Sequence, residues 1–228
     1  MLVTRYFGLL HVPRTGGLFL NDICAKHLPE EWILENPVGD WHVPYTEVAP
    51  RVGDIPLLCF VRNPWDWYVS FYHYNRAEMQ RRPDSWAWKA LFDEGTSSFK
   101  DTVMRVLWPG RLEPPPGRGP RWYRDFNESD LDLYSGQHEI VAGRAIEEGR
   151  ADVGRFERLT QDFLGFLDRH GVPIEESFRE VVRNAPPSNV SARGPYQDYY
   201  DDELRELIRE RASRLIENFN YSFERDSR

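Results

Sequence analysis

The feature that most constrains this chain is the stretch H-V-P-R-T-G-G-L-F-L-N at residues 11–21, which lies between an apolar run and a segment with helical spacing. The apolar residues within 2–10 predict a buried strand, and Pro13 must end it because proline has no N–H for a strand ladder. From Leu18 onward, apolar residues recur with the spacing of one helix face. The stretch therefore predicts a strand, a tight turn and the start of a helix.

The predicted turn contains Gly16 and Gly17, which allow a sharp bend and a close approach of the backbone to a ligand. A glycine-rich turn before a helix directs several backbone N–H groups toward one point, where the helix dipole favours an anion. Arg14 and the hydroxyl of Thr15 stand beside these groups in the sequence. The pattern predicts a phosphate-binding cradle, with an ordinary strand-to-helix turn as the alternative.

A second stretch, P-L-L-C-F-V-R-N-P-W-D-W-Y-V-S-F-Y-H-Y at residues 56–74, has the same strand-to-helix character. Its apolar strand ends on Arg62, Asn63 is a favourable helix N-cap, and Pro64 is a favourable first helical residue. Ser70 lies two turns into the predicted helix. Because a guanidinium fork and a hydroxyl suit a doubly charged phosphate, we expect Arg62 and Ser70 to bind one together.

Together, P-R-T-G-G at residues 13–17 and V-R-N-P-W-D-W-Y-V-S-F-Y at residues 61–72 resemble the two nucleotide-binding motifs of sulfotransferases that use 3′-phosphoadenosine 5′-phosphosulfate (PAPS). The resemblance points especially to the carbohydrate-type and bacterial members of that family. It implies that the first motif binds the 5′-phosphosulfate and that the second motif binds the 3′-phosphate.

Two later stretches extend the resemblance. V-G-R-F-E-R-L at residues 153–159 resembles a strand and turn of the family, and N-V-S-A-R-G-P-Y-Q-D-Y-Y at residues 189–200 resembles the loop that closes over the cofactor. In that loop, Ser191 and Arg193 are expected to meet the adenosine or the 3′-phosphate. The cofactor-binding residues implied by the resemblance are Arg14, Thr15, Gly16, Gly17, Leu18, Arg62, Ser70, Ser191 and Arg193.

Two residues depart from the family pattern. Arg14 stands where the family usually has lysine, and Leu18 stands where it usually has a hydroxyl residue. Arginine does not deprotonate in proteins, so we expect Arg14 to stabilise negative charge and not to donate a proton. Without a hydroxyl at Leu18, Thr15 and the backbone N–H groups must hold the 5′ end. Weaker cofactor binding or loss of activity is therefore the alternative outcome.

Transfer to a hydroxyl requires a base within hydrogen-bond reach of that hydroxyl. His42 is the candidate, because some family members that sulfate sugars have a histidine in this interval before the second motif. Asp40 and Glu47 are the alternative bases, since other members use a carboxylate. We expect His11 to pack at the end of the first strand, with a contact to the cofactor as its alternative, and His73 to be structural.

The length of 228 residues fits one α/β domain over residues 1–228 and leaves no room for a second full domain. We predict a three-layer α/β/α fold with a mainly parallel central sheet and a P-loop-like phosphate-binding strand-loop-helix. In such a fold, ligands bind at the C-terminal ends of the strands. Residues from about 76 to 135 match nothing in the family pattern, and we expect an acceptor-side insertion there.

The formal net charge of −8 argues against general nucleic-acid binding, so any anion site must be local. Cys24 and Cys59 lie in apolar contexts without a metal-binding pattern, and we expect buried free thiols in a reducing cytoplasm. The N-terminal apolar run is too short for a membrane span and lacks the form of a signal peptide. We therefore expect a cytoplasmic protein without a membrane span or a metal, whose oligomeric state the sequence does not predict.

These observations predict a sulfotransferase that moves a sulfuryl group from PAPS to a hydroxyl of a carbohydrate or other small-molecule acceptor and releases 3′-phosphoadenosine 5′-phosphate (PAP). The expected catalytic residues are His42, as the base, and Arg14, as the cation that stabilises the leaving phosphate. The first alternative is a catalytically silent protein that binds PAP or PAPS. A P-loop nucleotide kinase is disfavoured, because its loop needs G-x-x-x-x-G-K-[ST] and R-T-G-G-L-F has neither that spacing nor the lysine.

Overall fold

A computed structural model describes residues 1–36, 42–92, 97–112, 117, 121–188 and 193–224 of the chain. The chain divides into two units, each made of two segments. The first, here called the sheet unit, comprises Met1–Arg62 and His138–Val190, and the second, the helical unit, comprises Asn63–Gln137 and Ser191–Arg228. The expectation of one domain over residues 1–228 with an insertion at about 76–135 stays a prediction.

The regular elements follow one another along the chain as strands and mostly short helices. The strands are β1 (Leu2–Thr4), β2 (Gly8–Leu9), β3 (Ile33–Glu35), β4 (Leu57–Val61) and β5 (Ala151–Arg155). The helices are α1 (Gly17–His27), α2 (Tyr45–Val52), α3 (Pro64–Arg81), α4 (Trp86–Phe92), α5 (Phe99–Val106), α6 (Arg121–Asn127), α7 (Leu133–His138), α8 (Arg144–Glu147), α9 (Leu159–Arg169), α10 (Glu176–Asn184), α11 (Asp202–Arg211) and α12 (Ser213–Asn218). In the described part of the chain, every helix is too short or too polar to cross a bilayer.

Within the described residues, the strands form one five-stranded sheet in the order β3-β1-β2-β4-β5. β2 pairs in parallel with β4, and β4 pairs in parallel with β5, whereas β1 is antiparallel to both β2 and β3. The register places Leu9 opposite Leu58 and Val61 opposite Arg155. The predicted α/β fold, with parallel strands flanked by helices, is confirmed, and the sheet is mixed because β1 enters it through a hairpin.

The hairpin between β1 and β2 replaces the single strand predicted within residues 2–10, and that prediction is wrong. The Thr4 hydroxyl donates to the carbonyl oxygen of Phe7 at 2.8 Å and accepts from the N–H of Phe7 at 2.9 Å. Threonine side chains that bond nearby backbone groups stabilise turns in competition with extended strands. As a result, a strand of only two residues, β2, leads into the glycine turn.

The core of the sheet unit forms where α1, α9 and α10 pack on the sheet. Alternation along β4 places Leu58 and Phe60 on the same face of the sheet. Phe7 packs edge-on against Phe163 and Phe166 of α9, with ring centroids 5.9 and 6.1 Å away. The buried core residues are Leu2, Phe7, Leu9, Leu20, Ile23, Cys24, Leu28, Leu58, Phe60, Phe163, Leu164, Phe166, Leu167, Val172, Phe178 and Val182.

Cys24 and Cys59 are buried and free, as predicted. Burial raises the pKa of the Cys59 thiol to about 12 and raises the pKa of the Cys24 thiol further still. Since the thiolate is the reactive form of cysteine, both side chains act as small apolar core residues and not as nucleophiles.

The helical unit is built around α3, which contacts α4, α5, α11 and the 3-10 turn Tyr196–Tyr199. Trp67 of α3 is fully buried and stacks on Phe71 and on Tyr134 of α7, with centroid distances of 5.1 and 4.5 Å. Such aromatic stacking adds to the free energy gained from burial of apolar area. The rigid packing around Trp67 holds α3 in place within this unit.

A buried carboxylate, Asp132, precedes α7 in the helical unit. Its Oδ1 accepts from the Tyr68 hydroxyl at 2.5 Å and from the N–H groups of Tyr134 and Ser135 at 3.1 and 3.2 Å. Burial raises the pKa of Asp132 despite these hydrogen bonds. Because the folded-state pKa exceeds the unfolded one, the folded state loses stability as the pH rises above the ordinary aspartate pKa of about 3.9.

We expect Asp132→Asn to be at least as stable as the wild type near neutral pH, because the amide oxygen keeps the three hydrogen bonds and no charge is buried. Its stability relative to the wild type should rise as the pH increases above about 3.9, because the carboxyl of the unfolded wild type then ionises before the buried carboxyl of the folded state does. Asp132→Ala, which leaves the donors without an acceptor, should lower the free energy of unfolding by about 3 kcal/mol. Urea unfolding followed by circular dichroism measures the free energy of unfolding of all three proteins. If the Asn variant becomes less stable relative to the wild type as the pH rises, the raised pKa of Asp132 is contradicted.

Candidate functional site

The parallel pairing of β2, β4 and β5 places their C-terminal ends at one edge of the sheet, called here the carboxyl edge. Residues 10–16, the cradle loop, follow β2, while Arg62 follows β4 and Phe156 follows β5. The N–H of Leu10 still bonds the carbonyl oxygen of Leu58 at 2.9 Å, so the cradle loop leaves the sheet beside β4. Ligands of parallel α/β sheets bind beyond this edge.

The cradle loop contains two residues with left-handed backbone, Arg14 with φ 62° and Gly16 with φ 89°. A non-glycine residue in this region costs about 1–2 kcal/mol, so the loop's surroundings must hold Arg14 there. The Thr15 hydroxyl donates to the carbonyl oxygen of Val12 at 2.8 Å and closes the loop on itself. In this conformation the Thr15 hydroxyl hydrogen stabilises the loop and is not directed to a ligand.

Helix α1 begins at Gly17, directly after the cradle loop, so its first N–H groups and the positive end of its dipole follow the loop. A Cβ atom on Gly16 would lie 2.6 Å from Cδ2 of Leu159, and one on Gly17 would lie 2.2 Å from Cδ2 of His11. Gly16 is needed for its backbone conformation and for the contact with Leu159. Gly17 is needed because the His11 ring packs directly against its Cα.

Arg62 brings the two predicted phosphate motifs together. Its Nη1 donates to the carbonyl oxygen of Arg14 at 3.0 Å, and its guanidinium carbon lies 3.9 Å from the centroid of the Phe156 ring. Arg62 is only 5% exposed, so these contacts hold the guanidinium plane in one orientation. A fixed guanidinium, a second arginine on the cradle loop and a helix N-terminus form an arrangement that suits an anion.

His42, the predicted base, contacts the cradle loop. Its Nδ1 lies 3.0 Å from the carbonyl oxygen of His11, and the two imidazole rings meet edge to face with centroids 4.7 Å apart. His11 is 4% exposed, whereas His42 is exposed. Burial, followed by the positive charges of His42, the amino terminus and Arg14, holds the pKa of His11 well below its usual range. His42 is therefore the imidazole of this pair that a substrate can reach.

Helix α3 of the helical unit begins as the sequence predicts. The Asn63 side chain accepts a hydrogen bond from the N–H of Trp65 at 3.1 Å, and Pro64 is the first helical residue. Ser70, the predicted partner of the 3′-phosphate, lies in the second turn of α3 and is buried. The N-cap thus fixes where the helix starts and, with it, the turn that carries Ser70.

Arg193 lies beside the first turn of α3, where it forms an ion pair with Asp66. Asp66 and Ser70 are four residues apart, so they lie on the same face of α3. His73, one turn further, lies 2.8 Å from the hydroxyl of Tyr199 through its Nε2. Burial, followed by the charges of Arg193 and a neighbouring arginine, lowers the pKa of His73. Within the helical unit, Arg193 therefore contacts the first turn of α3, and Ser70 lies in the next turn of that helix.

The remaining candidate residues lie in the first turns of α1 and α2 or outside the described residues. Leu18 lies half-buried in the first turn of α1, and Glu47 is exposed in the first turn of α2. Asp40, an alternative base, and Ser191, a predicted cofactor contact, lie outside the described residues. The part of the chain that the structure describes contains no group of three or more His, Cys, Asp or Glu side chains that could hold a metal ion.

Sequence reasoning missed two residues that hold the predicted ones in place. Phe156 stacks under the Arg62 guanidinium, and Asp66 pairs with Arg193. Phe156 could have been found from strand pairing, because the residue after β5 must lie near the residue after β4 if these strands are adjacent and parallel. Asp66 could have been found from its spacing of four residues before Ser70 on a helix face.

Comparisons with known proteins bear on the fold. No protein-family model matches the chain, and no curated protein sequence matches it. Among solved structures, the chain is similar to the crystal structure of mouse sulfotransferase SULT7A1 complexed with PAP, with a TM-score of 0.52 and 12% identity, covering 94% of this chain and 89% of that chain. At this identity the similarity shows a sulfotransferase-like α/β fold, and the carbohydrate-type or bacterial subtype stays a prediction.

We expect Gly17→Ala to lower the free energy of unfolding by about 1–3 kcal/mol, because the new methyl group must displace the His11 ring or the start of α1. Gly165→Ala is the matched control: Gly165 is also helical, and its nearest neighbour, Nη1 of Arg169, lies 3.6 Å from the position of a Cβ atom. The control should be neutral or should stabilise the protein by about 0.5–1 kcal/mol. Urea unfolding measures both variants, and equal effects would mean that Gly17 is not tightly packed.

Proposed function

We propose that this protein is a sulfotransferase that moves a sulfuryl group from PAPS to a hydroxyl of a carbohydrate or other small-molecule acceptor and releases PAP. The observation that carries the proposal is the contact of Arg62 with the backbone of the cradle loop, which unites the two motifs that resemble PAPS-binding sequences. The sulfotransferase-like fold supports the same reading, and the similar mouse structure is described as a complex with PAP. The buried free thiols Cys24 and Cys59 support a reducing, cytoplasmic setting.

In the proposed complex, the 5′-phosphosulfate binds at the cradle loop. The N–H groups of Gly16, Gly17 and Leu18 and the guanidinium of Arg14 surround its oxygens, since a helix N-terminus and a cation both favour a negative group. Arg62 binds the 3′-phosphate. The sequence resemblance assigns Ser70, Ser191 and Arg193 to the same phosphate or to the adenosine.

The proposed reaction is a direct transfer between two oxygens. The acceptor hydroxyl oxygen bonds to sulfur while the bond from sulfur to the phosphate oxygen of PAPS breaks, and that oxygen leaves with the electron pair as part of PAP. His42 takes the hydroxyl proton, and Arg14 and the start of α1 neutralise the charge that develops on the leaving phosphate. Positioning and electrostatic stabilisation supply most of the catalysis in transfers of this kind.

A catalytically silent protein that binds PAP or PAPS is the second candidate. Two observations favour it: the Thr15 hydroxyl donates its hydrogen to the carbonyl oxygen of Val12, and Leu18 has no hydroxyl. The cradle loop then holds the 5′ end with backbone N–H groups and Arg14 alone. The two candidates share cofactor binding and differ in transfer, so binding and activity must be measured separately.

We expect PAP to bind the wild-type protein and to bind Arg62→Ala at least about tenfold more weakly, because charged hydrogen bonds contribute about 1.5–3 kcal/mol each. Isothermal titration calorimetry measures both. Arg144→Ala is the matched control, because it removes the same charge from an exposed arginine whose ion pair with Glu148 lies at the surface. AMP should bind weakly because it lacks the 3′-phosphate, and ATP should not compete. Equal PAP affinity in the Arg62 variant would reject the assignment of Arg62 to the 3′-phosphate. Preferential binding of ATP would favour the kinase alternative.

We expect His42→Ala to reduce the rate of sulfate transfer by about 10²–10⁴-fold, the usual effect of removing a general base, with little change in PAP affinity. Transfer from radiolabelled PAPS to a panel of sugars and phenols provides the assay. His27→Ala, which removes an exposed histidine at the end of α1, is the control and should keep full activity. If PAP binds well but the wild type sulfates no acceptor in the panel, the hypothesis of a catalytically silent PAP-binding protein is favoured over that of a sulfotransferase.

A further inference from the structure

We propose that His11 is the positioning residue for His42: its backbone carbonyl selects the imidazole tautomer of His42, and its ring sets the distance between the glycine turn and the base. The inference rests on the proposed function, in which His42 accepts the acceptor proton. It assigns His11 a task beyond packing at the end of the strand, although the residue contacts neither substrate nor cofactor in the proposal.

The first step concerns the tautomer of His42. A backbone carbonyl oxygen only accepts hydrogen bonds, so at 3.0 Å the Nδ1 of His42 must carry the hydrogen that it donates to His11. In a neutral imidazole the other nitrogen then holds the lone pair. Nε2 is therefore the basic nitrogen of His42. Histidine in water prefers the opposite tautomer, so the His11 carbonyl changes which ring atom can accept a proton.

The second step concerns distance. The His11 ring contacts both the glycine turn and His42. It packs so closely on Gly17 that a Cβ there would lie 2.2 Å from its Cδ2, and its centroid lies 4.7 Å from that of His42. The ring thus acts as a spacer between the helix N-terminus that would hold the phosphosulfate and the imidazole that would take the proton. A displacement of a reacting group by about 1 Å can lower the rate by about a hundredfold.

The third step excludes His11 as the base itself. It is 4% exposed, so an acceptor hydroxyl cannot reach it as it can reach the exposed His42. Burial and the charges that face it, those of His42, the amino terminus and Arg14, lower its pKa and keep the ring neutral. A neutral spacer adds no positive charge that would oppose proton uptake by His42.

The tautomer is tested directly by long-range proton–nitrogen NMR correlation on protein labelled with nitrogen-15 in histidine, with His42→Gln used to assign the signals. We expect Nδ1 of His42 to show a pyrrole-type shift and Nε2 a pyridine-type shift above its pKa. The opposite pattern would overturn the proposal. This measurement needs neither PAPS nor an acceptor, so its result stands apart from the proposed function.

The spacer is tested by comparing His11→Ala with His11→Phe. His11→Ala keeps the backbone carbonyl but removes the ring, and we expect kcat to fall about tenfold to a hundredfold with the acceptor KM changed far less. His11→Phe restores an uncharged ring of similar shape and should recover most of the lost kcat. A purely structural role would lower stability without this split between kcat and KM.

PAP titration of each variant separates the possible failures. If wild-type protein does not bind PAP, the proposed function fails, while the NMR result still decides the geometry of the His11–His42 pair. If PAP binds and His11→Ala keeps the wild-type kcat, the positioning role is wrong although the sulfotransferase assignment survives. Where His11→Ala does not fold, the tautomer of the wild-type protein and the kcat of His11→Phe still test the proposal.

Discussion

The candidate site depends on one hydrogen bond, from the Arg62 guanidinium to the carbonyl oxygen of Arg14. The bond is available because β2 and β4 run parallel in adjacent positions, so that the chain leaves both strands at the same edge. It also helps to offset the cost of the left-handed backbone of Arg14, about 1–2 kcal/mol, because the carbonyl oxygen of that residue gains a charged donor. It brings into contact two sequence motifs that are about forty residues apart in the chain.

The charge of the chain makes short-range contacts more important than long-range attraction. With a formal net charge of −8, the protein as a whole repels anions, and salt screens what attraction remains beyond about 10 Å. Any anion that binds must therefore be held by groups that are already in place. Arg62 fits this requirement because stacking on Phe156 and burial hold its guanidinium before any ligand arrives. Preorganisation of this kind lowers the entropy lost on binding.

Local chemistry in the sequence predicted the parts of the structure that depend on neighbouring residues. The start of α3 follows from Asn63 and Pro64, and the start of α1 follows from the two glycines. The hairpin after β1 was missed because a single threonine hydroxyl, and no glycine or proline, makes that turn. Contacts such as Phe156 under Arg62 and His11 against His42 depend on strand order and register, which apolar periodicity does not encode. The sequence thus predicts the motifs better than the residues that support them.

The two glycines of the turn face different neighbours, and this has a consequence for how the chain can change during evolution. Gly16 lies against Leu159 at the start of α9, and Gly17 lies against the ring of His11. A methyl group at position 17 becomes acceptable only when position 11 carries a smaller side chain, whereas the left-handed backbone at position 16 favours glycine whatever stands at position 159. Positions 11 and 17 should therefore covary in related sequences, while position 16 should stay glycine even where its neighbour varies.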